Sequence, residues 1–461
     1  MRISSWFQLC LLAGGVTLST NACSDSSADD DAETDGGPTI SSSSSSSGAG
    51  SSSGGSSSGA SGSSSSGGSS SGSSSGEAIE DAGPDATIDT DASDAGDASD
   101  ATDATDASDA SVEPPAPPAV QFLGRWDLST PGEAAASWPA TRVVVRLSGT
   151  GLNVTIAQGQ APNGGRARYD VLVDGAVQAA PLVIDEGTKS YPVVAGLAAG
   201  VHVVELVRRT EPQQGITRFT SIAPVGELLA PPARPTRRIE LLSESSVNGF
   251  GLEAPNPLGS PCNDAPDAVS KFHNARKSFA QKLADTLHAE LFLTATSYFG
   301  VVRNENGATT PLFTDVFERV HPFSPLPAWT FPTNQPDVVL VMLGGSDYAA
   351  TESAPAGFAA GYRAFATKLR TAYPTAEFIY AVGPQIKNSY PPNQFMRNNV
   401  KAIMDSIVAA DGADKNQVQV FPENGNPAFE QGCYGHANEA LHTSMAATAL
   451  PWVRAATGWA D

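Results

Sequence analysis

The chain has 461 residues and carries 27 Lys and Arg against 49 Asp and Glu, a formal net charge of −22. That length allows two or three domains, but residues 24–113 hold 19 of the acids and no Lys or Arg, which leaves 26 basic and 30 acidic residues, net −4, for everything after them. A nearly neutral folded part argues against a nucleic-acid surface, and six histidines without HxxxH and four cysteines without CxxC argue against zinc.

Residues 1–22 read as an export signal peptide: Arg2, an apolar stretch over 7–18, then small residues up to Ala22. Gly14, Gly15 and Ser19 break the stretch too often for a membrane span. Cys23 stands where a bacterial lipoprotein carries its lipidated cysteine, so the expectation is an exported, membrane-anchored protein of the cell envelope. The plain alternative is secretion after cleavage behind Ala22. Residues 23–118 read as a disordered linker. Its 41–76 segment is almost wholly Ser and Gly, with nothing to bury. From Asp91 to Asp109 an Asp recurs every third residue, and such self-repulsion keeps a chain extended. It lacks the glycine-turned framework of a calcium loop and reads as a tether.

Residues 119–232 change to short strands separated by turns. Strands are expected at 142–147, 168–173 and 201–207, with Ser-Gly-Thr-Gly following the first and an alternating 152–157 after it. Asp174-Gly175 marks a hairpin. Strands at this spacing without helices predict a β-sandwich. Trp126, Trp138 and Tyr169 are readable as a sugar-stacking face or as core, with core packing preferred.

A Pro-rich hinge at 231–236 opens a second rhythm over 236–461. Strands are expected at 239–242, 289–294, 338–343, 377–382 and 418–421, and helices at 268–287, 357–373, 393–410 and 439–455. Alternation of this kind predicts a three-layer α/β domain around a parallel sheet, with its site at the carboxyl ends of the strands. Three strand ends carry small polar groups: Ser243-Glu244-Ser245-Ser246, Thr296-Ser297-Tyr298, and Gly344-Gly345-Ser346-Asp347. A fourth group, Gly432-Cys433-Tyr434-Gly435-His436, puts a histidine in a Gly-rich loop before the last helix. Ser245 and His436 have the chemistry of a nucleophile and its base if those loops meet. With Cys10 in the signal and Cys23 at its end, Cys262 and Cys433 remain, and an oxidising compartment predicts one disulfide between them.

From Arg238 onward the chain resembles the SGNH (GDSL-type) hydrolase superfamily. Within it the likeness is to carbohydrate esterase family 2, the acetylxylan-esterase-like proteins, which place a jelly-roll-like β-sandwich before the hydrolase domain. The likeness is carried by Gly249-Phe250-Gly251, by Ser260-Pro261-Cys262, by Ser297 through Asn304, by Pro336-Asp337-Val338, and by Gly432-Cys433 with His436, Asn438 and His442. It implies a serine ester hydrolase that removes acetyl groups from polysaccharide, with Ser245 as nucleophile, His436 as base and no metal or organic cofactor. Several family positions differ. Ser243-Glu244 replaces Gly-Asp before the serine. Tyr298 stands at a glycine that offers its amide to the oxyanion, and Ser346 at an asparagine that offers its side chain. Tyr434 stands where an acid usually precedes the histidine. Glu244, Asp347 or a backbone carbonyl are the alternatives for orienting the imidazole. These changes leave a second expectation open: a pseudoenzyme that binds carbohydrate at the cell surface through the same fold. Tyr298 would then fill the cleft over Ser245.

Overall fold

The structure is a computed structural model and describes residues 119–254, 262, 267–424 and 432–460. The expected signal (1–22), Cys23 and the linker to residue 118 lie outside the described residues, as do Ser260 and Pro261.

The first region is all β. Its strands are β1 (Val120–Leu123), β2 (Ala134–Ala136), β3 (Arg142–Gln158), β4 (Arg168–Val173), β5 (Ala176–Val177), β6 (Leu182–Val183), β7 (Gly187–Val194), β8 (Gly200–Arg208) and β9 (Thr217–Leu229). They pair antiparallel along the path β2-β9-β3-β8-β4-β5, with β1 and β7 joined to β3 and β6 joined to β4. The hairpin at Asp174-Gly175 forms with φ of 51° and 80°, the doubly left-handed turn that suits a two-residue connection. Ser-Gly-Thr-Gly is not a turn. β3 runs through it for 17 residues, bulging between Gly149 and Gly151 against β9. Glycine is required at that crossing, because a Cβ on Gly149 would lie 2.1 Å from the Val225 carbonyl oxygen. Trp126, Trp138 and Tyr169 are 6 %, 1 % and 0 % exposed, so they are core and present no stacking face.

The second region is a five-stranded parallel sheet in the order β11-β10-β12-β13-β14. Its strands are β10 (Arg237–Ser243), β11 (Ala289–Ala295), β12 (Val338–Met342), β13 (Glu377–Val382) and β14 (Asn416–Val420). The helices are α1 (Phe279–Thr286), α2 (Phe313–Val316), α3 (Gly345–Ala349), α4 (Phe358–Ala372), α5 (Met396–Asp411) and α6 (Glu439–Thr457). Every residue of β12 is buried, because alternate side chains feed two cores. Val339 and Val341 pack with α4 and α5 on one face, while Val338, Leu340 and Met342 pack with α1 and α6 on the other. The chain goes from β10 to β11 on one side and then to β12 on the other, so the order reverses at the carboxyl end of β10.

The helix expected at 268–287 is confined to 279–286. Ahead of it lie two short 3-10 turns, separated by His273 in an extended conformation. Asn274 and Ser278 each accept a backbone N–H and start new turns, so capping side chains override the helical spacing. This irregular stretch also holds the two regions together. Arg168 pairs with Asp267, Asp170 with both Arg209 and Arg276, and the Arg209 Nε donates to the His273 carbonyl. A second join is more deeply buried. Arg125, 1 % exposed, donates to Glu240 of β10 at 2.6 Å and lies 4.8 Å from the centre of the Trp329 ring.

Candidate active site

β10, β11 and β12 end together. Ser243 Oγ donates to the Met342 carbonyl (2.7 Å), and the Thr296 N–H donates to the Ser243 carbonyl (3.2 Å). Glu244 then turns inward. Its carboxyl accepts the N–H groups of Gly344 and Ser346, each at 2.8 Å, and so ties the end of β10 to the start of α3. Burial, with the nearby Asp347 charge, pushes its pKa up to about 7.

Ser245 follows, half-buried, and faces the cleft. The His436 Nε2 stands 2.7 Å from its Oγ. On the far side of the ring, Nδ1 is 2.8 Å from the Cys433 carbonyl oxygen. A carbonyl only accepts, so Nδ1 carries the proton and the lone pair of Nε2 faces the serine hydroxyl. This is the tautomer a general base requires. Burial lowers the imidazole pKa, with the Cys433 carbonyl opposing.

The ring is also held by packing. Phe250 lies with its centroid 4.5 Å from that of His436 and 4.6 Å from that of His273. The turn that aims Phe250 needs its two glycines: a Cβ on Gly249 would meet the Asn274 carbonyl oxygen at 2.3 Å, and one on Gly251 would meet Cys433 Cβ at 2.3 Å. Cys433 N–H donates to the Gly251 carbonyl (3.1 Å), and its sulfur is bonded to that of Cys262, with Cα atoms 5.5 Å apart. The serine loop and the histidine loop are thus joined by hydrogen bond, ring contact and disulfide.

The cleft at Ser245 is lined by Glu244, Ser246, Gly345, Ile386, Tyr434 and His436, among others. The Tyr298 side chain is turned away from it. The Tyr298 ring packs edge-on to Phe299 against the apolar core, with φ of 90°, so it does not plug the cleft. Ser346 gives its N–H to Glu244. Tyr434 is 60 % exposed on the rim, with its hydroxyl donating to the Cys262 carbonyl at 2.7 Å.

Neither carboxylate considered as a partner for the imidazole takes that place. Asp347 instead accepts the N–H groups of Val301, Val302 and Arg303, and binds the loop after β11 to α3. His442 is buried, accepting the Phe279 N–H on Nδ1 (3.2 Å), while Asn438 caps α6. Of the alternatives for orienting the imidazole, the backbone carbonyl is the one in place, and it is that of Cys433; which carbonyl, and the Phe250 ring, are what sequence reasoning did not single out. Backbone carbonyls leave no trace in residue identity; Phe250 was visible only as the centre of Gly-Phe-Gly.

A switch-point sheet with a strand-end serine facing a loop histidine agrees with the resemblance to the SGNH hydrolases. Residues 122–232 match the family model described as carbohydrate esterase 2 N-terminal. The chain is 26 % identical over 341 residues to the cellulase/esterase CelE of Acetivibrio thermocellus, covering 74 % of this chain and 40 % of that one. It is 28 % identical over 267 residues to an acetylxylan esterase / glucomannan deacetylase of Cellvibrio japonicus, covering 53 % of this chain and 67 % of the other. A family two carbohydrate esterase from Clostridium thermocellum, solved with cellohexaose, superposes with a TM-score of 0.66 at 27 % identity, covering 74 % of this chain and all of that one. The folded part is therefore similar to carbohydrate esterase family 2.

Proposed function

We propose that this protein is a serine esterase that removes acetyl groups from a polysaccharide. The observation that carries the reading is the 2.7 Å contact between Ser245 Oγ and His436 Nε2, with the opposite ring nitrogen held by a carbonyl. Ser245 attacks the acetyl carbonyl while His436 takes its proton. The sugar oxygen leaves with that proton, and water, activated by the same imidazole, frees acetate from the serine. The N–H of Ser245, the N–H of Tyr298 and the Ser346 hydroxyl are the proposed oxyanion donors. Relatives that are carbohydrate and acetylxylan esterases support the reaction class. No metal or organic cofactor takes part in this scheme.

The domain division that goes with this reading is a β-sandwich over 119–232 and a hydrolase domain over 236–461, behind a linker over 23–118. Export by the 1–22 signal and lipidation at Cys23 would place the enzyme on the cell envelope, with the linker as tether and no other contact with the membrane. The test is hydrolysis of p-nitrophenyl acetate by the protein beside its Ser245→Ala variant. Turnover lost in the variant upholds the reading. Equal rates in two folded proteins overturn it.

One observation favours a second reading, carbohydrate binding with little or no turnover. Glu244 brings a carboxyl group to the wall of the cleft that holds Ser245. A negative charge there opposes the developing oxyanion.

A further inference from the structure

A turn of the β region reaches into the hydrolase region. Its base is Arg208, fully buried at the end of β8. All five of its N–H donors are used: Nε on the Thr210 carbonyl, Nη1 on the Ala136 carbonyl and the Thr217 hydroxyl, and Nη2 on the carbonyls of Glu211 and Gly215. Four of these contacts lie on the turn itself or at its end, and they fix 210–215 as a rigid projection.

Two side chains extend from it onto the end of β11. The Glu211 carboxylate, 2 % exposed, accepts the Ser297 N–H on one oxygen (2.7 Å) and the Ser297 hydroxyl on the other (2.8 Å). Gln213 donates its amide to the Ser297 carbonyl (3.1 Å) and accepts the Thr296 hydroxyl (3.2 Å). The next residue, Tyr298, holds φ at 90°, a conformation that a tyrosine keeps only when its surroundings over-determine it. From the other side, Glu305 N–H donates to the Tyr298 carbonyl at 2.9 Å.

Apolar contact would join two regions at less cost than a buried carboxylate. What these polar groups add is direction. The Ser297 carbonyl and the Tyr298 N–H belong to one planar trans peptide and point opposite ways. Holding the carbonyl on Gln213 therefore sets where the Tyr298 N–H points, and holding Ser297 at two atoms on Glu211 stops the plane from turning.

We propose that Glu211 and Gln213 are positioning residues contributed by the β region to the hydrolase site, and that they aim the Tyr298 N–H. The proposal rests on the esterase reading for the use made of that N–H. The brace itself rests only on the geometry.

The test measures kcat and KM on p-nitrophenyl acetate, and hydrogen–deuterium exchange over 296–305, in four proteins. These are wild type, Glu211→Ala, Gln213→Ala and Glu211→Gln. In the two alanine variants kcat falls ~10–100-fold, short of the ~10²–10³ for outright loss of an oxyanion donor, while KM stays put. Exchange quickens over 296–305 and not in the strands of the parallel sheet. Glu211→Gln keeps an oxygen for the Ser297 N–H and offers its amide to the Ser297 hydroxyl. It restores kcat to within ~3-fold. If Glu211→Ala does not fold, Gln213→Ala decides alone. Unchanged exchange over 296–305, or exchange that quickens throughout the protein, overturns the brace. Local quickening with unchanged kcat overturns the aiming of the N–H. If wild type has no Ser245-dependent turnover, the esterase reading fails, and the exchange arm still decides the brace.

Discussion

The candidate site has two halves that are held in different ways. In the half built from Ser245 and His436, the two side chains face each other and their support comes from the loop that carries the histidine. A carbonyl at Cys433 orients the imidazole, and Phe250 backs its ring. In the half built from the ends of β11 and β12, the loops are held from outside. Asp347 gathers three amides, Glu244 gathers two, and Glu211 reaches across from the β region. Geometry at a candidate reacting atom can therefore be held by whatever acceptor stands at the right distance, a backbone carbonyl included. Residue identity alone does not report whether one does.

The sharpest way to break this comparison is to remove the first half. His436→Ala, like Ser245→Ala, lowers kcat by roughly 10⁴-fold or more without unfolding the protein. Steady-state kinetics and a melting curve check both points. Next in size is the tie between the loops. The double variant Cys262→Ser, Cys433→Ser loses about 2–4 kcal/mol of stability, since the bond closes a separation of 171 residues. It also loosens the loop that carries the Cys433 carbonyl behind His436, so kcat falls. An unchanged melting temperature and kcat would show that hydrogen bonds and ring contacts suffice.

The second half is probed by pH. Above about 7 Glu244 is a carboxylate at the cleft wall, so kcat/KM declines on the alkaline side. Glu244→Gln removes that decline, and a profile from pH 5 to 9 on both proteins reads it. The same group links to folding. Its folded pKa is raised above the unfolded value, so the stability it confers is complete below about pH 4 and is lost as the pH rises through about 7. The melting temperature of wild type minus that of Glu244→Gln is therefore higher at pH 5 than at pH 8. The smallest effect belongs to the acid limb. Burial lowers the His436 pKa, so the base stays neutral to lower pH, and the limb falls below the ordinary imidazole midpoint of about 6.5. An acid limb at or above that value would mean that the ring is more open to water than its packing implies.

The sheet was legible because five apolar runs separated by helical spacing admit little else: β13 falls where its run predicts, and β12 differs by one residue. The Ser245–His436 contact and the pairing of Cys262 with Cys433 were legible by residue type and loop position, while the catalytic role of the first pair stays a proposal. Two kinds of feature were not. One is backbone geometry under tertiary control, such as the passage of β3 through Ser-Gly-Thr-Gly and the broken helix at 268–278, where caps and domain contacts override local spacing. The other is long-range polar pairing. Nothing near Glu211 in sequence points to Ser297, and nothing near Glu244 separates a partner for His436 from a clasp on Gly344 and Ser346.

Arg125 has a consequence for how such a chain is cut or recombined. Its guanidinium leaves the β region, enters a cage that includes Trp138, Phe317 and Trp329, and ends on Glu240 inside the sheet. Cutting the polypeptide at the 231–236 hinge would strand a buried anion in one fragment and expose aromatic surface around it. The hinge marks a boundary in composition, not a seam along which the molecule comes apart. Exchange between proteins would therefore have to move both sides of the Arg125–Glu240 pair in one piece.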